Sequence, residues 1–557
     1  MGLRMTGKSL YCKLPLLLLT FAFALVFSRT SFSSEFPRIG GLLKTKKEEF
    51  LQSSSTKWLV ASDLVVIGPR PGAEQVQYID RIAQIKDFNP NILFMRYINV
   101  TAINREWGAW QGAVDSLNNY FVNPNRGGSN TANDGWARYA SGEIPTPYAA
   151  NSSINIMDYV DPYNGSKGQA STDSDLSKPR INERPVDYMG RHNYFTRLET
   201  IEDVLDGVYE DVNRRWPKVR ADWNNDGSND GKNEYSSPLI QRKWREAMMH
   251  SRDNMVGPNF DGRNAPRARG NGRAWLSQGG YYLVNGSAWI LGQEVRDRLN
   301  LGKPIPKIPE YDQELHGGNH EAIFGLEHSR GGLLPDGTAT RYSTKSKGLD
   351  AALTSFQYSY SHAKEIPELG HAAFIFSAHA TNLDMARYSF AAGLMSDGLV
   401  AIFNNTDGLS YAPWFLDEYV GEDYKSLSNR QIDSNSKWLG QAIDPAYPNN
   451  PRSNNQRVFM REFENGLVVV LAGRSHLDDH MTETEVVRLP DPGNGYVWQR
   501  ISGGQDPNWN DGSDVGPTIK LGSSHASIRQ NAIILRREMK SDTQITAVPK
   551  PPGLQIQ

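Results

Sequence analysis

An acidic residue at the end of a predicted strand is the first candidate for catalysis. The stretch VLDGVYEDVN (204–213) has an Asp-Gly pair and a short β-prone run that ends at Glu210 and Asp211. Strand side chains alternate between two faces, so Gly207, Tyr209 and Asp211 share one face. A buried carboxylate is costly unless it is paired or used in chemistry. The run therefore predicts either a structural ion pair or a catalytic acid at Asp211.

A second candidate acid is Glu327, near the end of the predicted strand EAIFGLEH (321–328). Two carboxylates from different strands are what cleavage of a glycosidic bond requires: one protonates the leaving oxygen, and the other attacks the anomeric carbon or activates water. We predict Asp211 as nucleophile or base and Glu327 as general acid. The alternative is that each acid is held in a structural ion pair. Candidate partners for such pairs are Arg96, Arg191 and Arg330.

Residues that can bind a sugar follow several predicted strands. Asparagine and histidine at strand ends can hydrogen-bond hydroxyl groups, and loop tryptophans can stack on sugar rings. The predicted substrate-binding residues are Asn99, Asn285, His379, Asn404, Trp275 and Trp414. The asparagines can equally cap the loops or helices that follow.

The segment DWNNDGSNDGKNE (222–234) is typical of a calcium-binding loop. Oxygen-bearing side chains at alternate positions around a turn-forming glycine suit a hard cation. These side chains are Asp222, Asn224, Asp226, Ser228 and Asp230. We predict a structural Ca²⁺ site here and no organic cofactor, and the alternative is a solvated turn. A zinc site at His320, Glu321 and His328 is disfavoured, because the two histidines lack the i,i+4 spacing of helical zinc motifs.

The segments that position these residues alternate between strand and helix over residues 35–424. The predicted strands are 58–68, 91–100, 154–162, 206–213, 279–286, 321–328, 371–380 and 397–405. The predicted helices between them are 74–88, 238–255, 287–299 and 382–395. This repeat predicts an α/β fold, a (β/α)8 TIM-type barrel that carries its site at the carboxyl ends of the strands. A doubly wound open sheet is the alternative, but no Gly-rich phosphate motif follows the first strand.

The pattern changes to short strands past residue 425. Asn465-Gly466 is a favoured pair for a tight hairpin turn, and further β-prone runs follow at near-regular spacing. We predict a small sandwich-like β-domain over 425–540 and a disordered tail over 541–557.

Residues 1–34 predict a secretory signal. Arg4, Lys8 and Lys13 precede an apolar run (14–27) that is shorter than the roughly 20 residues of a spanning helix. Secretion or a periplasmic location is expected, and an uncleaved membrane anchor is the alternative. The single cysteine, Cys12, lies in this segment, so no thiolate catalyst or disulfide is expected after it. Lys+Arg (60) and Asp+Glu (62) nearly balance, which disfavours nucleic-acid and membrane-surface partners. The oligomeric state cannot be read from the sequence.

Three motifs carry a resemblance to a known group of proteins. They are DGVYED (206–211), KWLGQAID (437–444) and REFENGLV (461–468). The first resembles the DGhhhD strand (h, apolar) of the hypothetical glycosyl hydrolase-like families, with Glu210 at the third apolar position. The others resemble the LG-x-P lead-in and the R-x-F-x-N-G-L-V strand of their C-terminal β-domain. Ala472-Gly473 follows where those families continue with Asn-Pro. The resemblance implies a (β/α)8-barrel hydrolase acting on a poly- or oligosaccharide.

Two other classes of function remain open. A carbohydrate-binding surface protein can keep such a scaffold without turnover. A lyase or a deacetylase is also compatible with it, although a lyase needs a Tyr/His or Lys base and a deacetylase needs a metal triad. The predicted Asp/Glu pair favours hydrolysis over both of these reactions.

Overall fold

The computed structural model describes residues between 35 and 540, with gaps. The described residues are 35–43, 47–68, 75–99, 101–105, 110–121, 135–141, 143–146, 151–155, 160, 163–172, 174–193, 196, 201, 204–210, 217, 219–224, 226, 228–231, 237–256, 281–285, 316–320, 346–361, 363–380, 382–404, 412–453, 458–472, 485–522 and 531–540. The predicted signal, the predicted tail, Asp211, Trp275, Glu327 and Arg330 lie outside them.

Strands and helices alternate over the first part of the described chain, and strands dominate the last part. The strands are β1 Gly40–Leu43, β2 Leu64–Ile67, β3 Leu93–Ile98, β4 Ala102–Asn104, β5 Asn151–Ser153, β6 Gly207–Glu210, β7 Tyr281–Asn285, β8 Gly317–His320, β9 Ala373–Ala380, β10 Leu399–Asn404, β11 Ala412–Pro413, β12 Val458–Phe463, β13 Gly466–Leu471, β14 Glu485–Arg488, β15 Tyr496–Arg500, β16 Asp514–Val515, β17 Thr518–Leu521 and β18 Ala532–Met539. The α-helices are α1 Lys47–Leu51, α2 Thr56–Ala61, α3 Gln75–Lys86, α4 Gln111–Asn119, α5 Pro185–Asn193, α6 Pro238–Val256, α7 Ser346–Tyr360, α8 Leu383–Gly393 and α9 Asn429–Asn435.

The main sheet has the order β1-β2-β3-β6-β7-β8-β9-β10-β11. Each neighbouring pair from β1 to β10 is parallel, and β11 is antiparallel to β10. A parallel bridge joins Ile39, directly before β1, to Val400 in β10. The Val400 amide also donates a hydrogen bond to the Arg38 carbonyl (2.9 Å). The first and the eighth parallel strands are therefore neighbours in space.

The two faces of the main sheet form two cores. One is the inner cluster, whose buried members are Leu42, Leu64, Val66, Leu93, Met95, Tyr209, Leu283, Ile366, Leu369, Ala373, Ile375, Leu399, Ala401 and Phe403. The other face packs with side chains from the helices, as Val65 and Val208 do. Tyr209 and Val208 therefore point to opposite faces, which confirms the predicted alternation within Gly207–Glu210.

Two predicted strands are wrong in part. Within 58–68, residues up to Ala61 are helical and only Leu64–Ile67 form a strand. A short apolar run does not by itself distinguish a buried helix from a strand. The third predicted strand, 154–162, is described only at residues 154, 155 and 160, and these do not join the main sheet. The adjacent β5 pairs with β4, and Ile154 bridges to Trp136. Ile154 is buried in the core that the helices share with one face of the main sheet.

Two strands of the main sheet were not predicted because glycines occupy half of each. In β1, a Cβ on Gly41 would lie 2.3 Å from the Trp58 ring, so this strand needs glycine for packing. In β8 (GGNH), a Cβ on Gly317 would lie 2.0 Å from the Ala373 carbonyl oxygen of the neighbouring strand. The predicted strand 321–328 begins directly after β8 and lies outside the described residues.

The C-terminal strands form two antiparallel sheets, of order β12-β13-β18-β15-β16 and β14-β17. Side chains from both sheets share one core, including Leu467, Trp498 and Ile519. Glu464 and Asn465 turn the chain between β12 and β13, which confirms the predicted hairpin. Among the described residues, no helix is long and apolar enough to cross a membrane.

Candidate functional site

The carboxyl ends of three adjacent parallel strands lie in register. Ile98 of β3 and Glu210 of β6 are Cα partners, and Glu210 is in turn the partner of Val284 of β7. The residues that follow these three along the chain are Asn99, Asp211 and Asn285. Parallel strands present their carboxyl ends at one edge of a sheet, so Asn99 and Asn285 belong to the edge at which β6 ends with Glu210.

The same edge includes three more of the predicted binding residues. His379 is the Cα partner of Phe403, and Asn404 ends β10 opposite Ala380. Trp414 lies just after β11, and its indole Nε1 donates to the Ala380 carbonyl (3.1 Å). Asn99, Asn285, His379, Asn404 and Trp414 therefore lie at one end of the sheet. The side chains of Asn285 and His379 lie outside the described part of the structure.

Asn99 shapes the chain at the end of β3. Its Oδ1 accepts hydrogen bonds from the Thr101 amide (2.9 Å) and hydroxyl (3.2 Å) and from the Ala102 amide (3.2 Å). Its carbonyl accepts from Nδ2 of Asn193 (3.1 Å), the last residue of α5. The capping role that the sequence left open is therefore present, and it fixes where the chain leaves the strand.

One aromatic side chain that packs against the inner cluster near this edge is only half-buried. Tyr97 packs against the cluster and is half-buried, whereas Tyr209 is fully buried. The two tyrosines are Cα partners on β3 and β6, and their rings stack with centroids 6.3 Å apart at 25°. Sequence reasoning did not select Tyr97, although its position two residues before Asn99 on the same strand was the available signal.

Two of the three predicted arginine partners, Arg191 and Arg96, lie among the described residues. Arg191 binds Glu183 through Nε (2.8 Å) and Nη2 (2.9 Å), and this pair belongs to the segment before β6. Arg96 is buried, and the alternation of β3 puts it on the helix-packed face together with Phe94. Glu210 is buried on the same face of the neighbouring strand, two register positions from Arg96. Arg96 and Glu210 therefore share the helix-packed face of the main sheet, opposite the inner cluster.

Asp206, the first acid of the DGVYED motif, has a structural role. It lies before β6, at the amino end of the strand, and is buried. Its Oδ2 accepts hydrogen bonds from the Phe94 amide (2.9 Å) and from Lys86 Nζ (2.9 Å). These contacts attach the start of β6 to β3 and to α3. Within the described part of the motif, Asp206 thus lies before the amino end of β6 and Glu210 is the last residue of the strand.

The predicted calcium loop is held by its own hydrogen bonds. Asp226 Oδ1 accepts from the Ser228 amide (2.8 Å), and Asp226 Oδ2 accepts from Asn224 Nδ2 (3.0 Å). Asp230 Oδ2 accepts from the Trp223 amide (2.9 Å). Burial raises the pKa of Asp230, and the nearby carboxylates of Asp226 and Asp222 add to the rise. Within the described ranges, no group of three His, Cys, Asp or Glu side chains is arranged to hold a metal ion.

Two acids in the loop after β11 connect the main sheet to the β-domain. Asp417 Oδ2 accepts from the Gln505 amide (2.7 Å), and the Asp417 amide donates to the Gln505 side chain (2.8 Å). Glu418 binds Arg387 of α8 and accepts from Asn510 Nδ2 (2.9 Å). Burial raises the pKa of Asp417 to about 6. Both acids are buried, and their bonds to Gln505 and Asn510 join the main sheet to the β-domain.

Comparisons with known proteins give structural likenesses at low sequence identity. No family model matches the chain, and no curated protein matches it. Three solved glycoside hydrolases are similar to it over most of its length. They are Bacillus licheniformis trehalose-6-phosphate hydrolase (11% identity, TM-score 0.38, covering 90% of this chain and 99% of that one), an Anoxybacillus alpha-amylase (7%, 0.36, 92% and 99%) and the cyclic alpha-maltosyl-(1→6)-maltose hydrolase of Arthrobacter globiformis (10%, 0.36, 90% and 98%). TM-scores below 0.5 do not establish a common fold, so the function proposed below rests on the chain's own residues.

Proposed function

We propose that this protein is an exported glycoside hydrolase that cleaves a poly- or oligosaccharide with two carboxylates. The scaffold is a (β/α)8 barrel, and its active site lies at the carboxyl ends of the strands. Asp211 is the nucleophile or base, and Glu327 is the general acid. Export depends on the predicted signal in residues 1–34.

The register of β3, β6 and β7 carries the proposal. Asp211 directly follows the last residue of β6, and Tyr209, two residues earlier, belongs to the inner cluster. Strand alternation therefore predicts that Asp211 faces the inside of the sheet at its carboxyl edge. Catalytic residues of (β/α)8 enzymes come from this edge.

The barrel is supported by the contact between the first and the eighth parallel strands. Ile39 bridges to Val400, and Leu42 of β1 shares the inner cluster with Leu399 of β10. A doubly wound open sheet keeps its first and last strands apart at free edges, so this contact favours closure.

The predicted ion-pair partners give further support. Arg191 is committed to Glu183, and Arg96 lies on the helix-packed face. Arg191 therefore has another partner, and Arg96 lies on the face opposite to the one predicted for Asp211, which favours the catalytic role. The third predicted partner, Arg330, lies outside the described residues.

The test is release of reducing sugar from a panel of glycans by the wild type, Asp211→Asn and Glu327→Gln. Asp491→Asn is the matched control. Asp491 is exposed in the β-domain, and its carboxylate accepts a local hydrogen bond from the Gly493 amide. We expect both active-site variants to lose activity by orders of magnitude and the control to keep it. Full activity in both variants would exclude this pair of acids. Glycan binding without turnover in the wild type would identify a carbohydrate-binding protein instead.

A further inference from the structure

An aromatic side chain next to the inner cluster, Tyr97, is only half-buried. It lies near the edge of the sheet where we place the proposed active site. Tyr97 is the half-buried side chain that packs against the inner cluster in the described part of the chain. It lies in the next-to-last position of β3, one strand away from the position that Asp211 follows. Its side chain packs against the apolar side chains of the inner cluster and keeps part of its surface exposed.

Tyr209 fixes the orientation of the Tyr97 ring. The two residues are Cα partners on parallel strands, and their near-parallel rings are 6.3 Å apart. Tyr209 is fully buried, so its ring cannot move without repacking the inner cluster. Asn99 fixes the chain two residues after Tyr97 through three hydrogen bonds to its Oδ1. Tyr97 is therefore held on both sides, as a preorganised binding surface must be.

We propose that Tyr97 is the sugar-binding platform of the site, with its ring against one face of a pyranose unit of the substrate. The aliphatic hydrogens of a sugar ring pack on an aromatic face, and the sugar hydroxyls stay at its rim for the strand-end asparagines. Tyr209 is the positioning residue that holds this platform. This inference rests on the proposed function and adds a residue and a mode of contact that the two-carboxylate chemistry does not require.

The experiment uses the full chain and a glycan that the wild type cleaves. Tyr97→Phe keeps the ring face, and Tyr97→Ala removes it. We expect Tyr97→Ala to raise KM by about tenfold or more and Tyr97→Phe to stay within about threefold of the wild type. Binding of the same glycan to Asp211→Asn, with and without Tyr97→Ala, should show the same loss of affinity by calorimetry.

Tyr120→Ala is the matched control, because Tyr120 is also half-buried but packs edge-on against Tyr163, 5.6 Å away, at the end of α4. Thermal unfolding of each variant separates loss of fold from loss of binding. Unchanged KM and affinity in a folded Tyr97→Ala variant would overturn the platform and leave the two-carboxylate function standing. An equal loss in Tyr97→Phe would overturn the ring contact. A wild type that neither cleaves nor binds any glycan would overturn both proposals.

Discussion

Arg387 and Glu418 form an ion pair in which each side chain is only 1% exposed. Arg387 belongs to α8 beside the main sheet, and its Nη1 also lies 3.2 Å from Oδ2 of Asp506, between strands of the β-domain. Nearby carboxylates raise the pKa of Arg387 and outweigh the effect of its burial. One buried cation therefore contacts two buried acids across the junction between the main sheet and the β-domain.

Removing that cation should destabilise the protein strongly. Arg387→Met leaves Glu418 and Asp506 buried without their counter-charge, and we expect the free energy of unfolding to fall by about 3–5 kcal/mol. Arg536→Met is the control, because Arg536 and Glu538 form an exposed pair (3.0 Å) whose loss should cost less than about 1 kcal/mol. Denaturant unfolding measures both changes. Equal effects of the two substitutions would show that burial of the junction pair is not decisive.

Asp417 should give the protein a pH-dependent component of stability. Burial raises its pKa to about 6 from the ordinary 3.8, so the folded state binds this proton more tightly than the unfolded chain. The contribution is complete below about pH 4 and is lost as the pH rises through 6. Asp417→Asn lacks this dependence, although it also loses an acceptor for an amide. We expect the melting temperature of the wild type, relative to that of the variant, to fall as the pH rises from 4 to 7. A constant difference would show that Asp417 does not titrate in this range.

The two aspartates of DGVYED, Asp206 and Asp211, should respond to substitution in opposite ways. Asp206→Ala leaves the Phe94 amide without its buried acceptor and Lys86 without its partner, and we expect a loss of about 1–3 kcal/mol of stability. The folded fraction should keep its kcat. Asp211→Ala should abolish turnover with little effect on unfolding. Thermal unfolding and kinetics measured on the same preparations would reveal whether the roles are reversed.

Calcium should stabilise the loop 222–234 if the predicted site exists. Burial and then the carboxylates of Asp226 and Asp222 raise the pKa of Asp230, and a divalent cation would relieve the repulsion on Asp230. We expect millimolar Ca²⁺ to raise the melting temperature of the wild type and EGTA to reverse the shift. Asp226→Asn should lose most of the shift, whereas Asp491→Asn should keep it. No shift in the wild type would reduce the segment to a hydrogen-bonded turn.

The sequence by itself determined the elements with strong periodicity. The helices predicted at 74–88, 238–255 and 382–395 are present as α3, α6 and α8, and the strands at 371–380 and 397–405 are β9 and β10. The hairpin at Asn465-Gly466 follows from turn chemistry. The three helices carry a helical apolar period over more than ten residues, and the two strands are β-prone runs of strand length, so local pattern favours these conformations.

Tertiary structure decided what local pattern does not encode. Gly41 and Gly317 lie in strands that the local pattern does not predict. Glycine is needed there because the Trp58 ring and the Ala373 backbone occupy the space of a side chain. Asp206 and Asp211 are alike in sequence, but contacts with Phe94 and Lys86, far away along the chain, assign the structural role to Asp206. The pairing of Tyr97 with Tyr209 likewise depends on the register between β3 and β6, which are separated by more than a hundred residues. Register is fixed by packing of whole strands, and a single stretch of sequence cannot specify it.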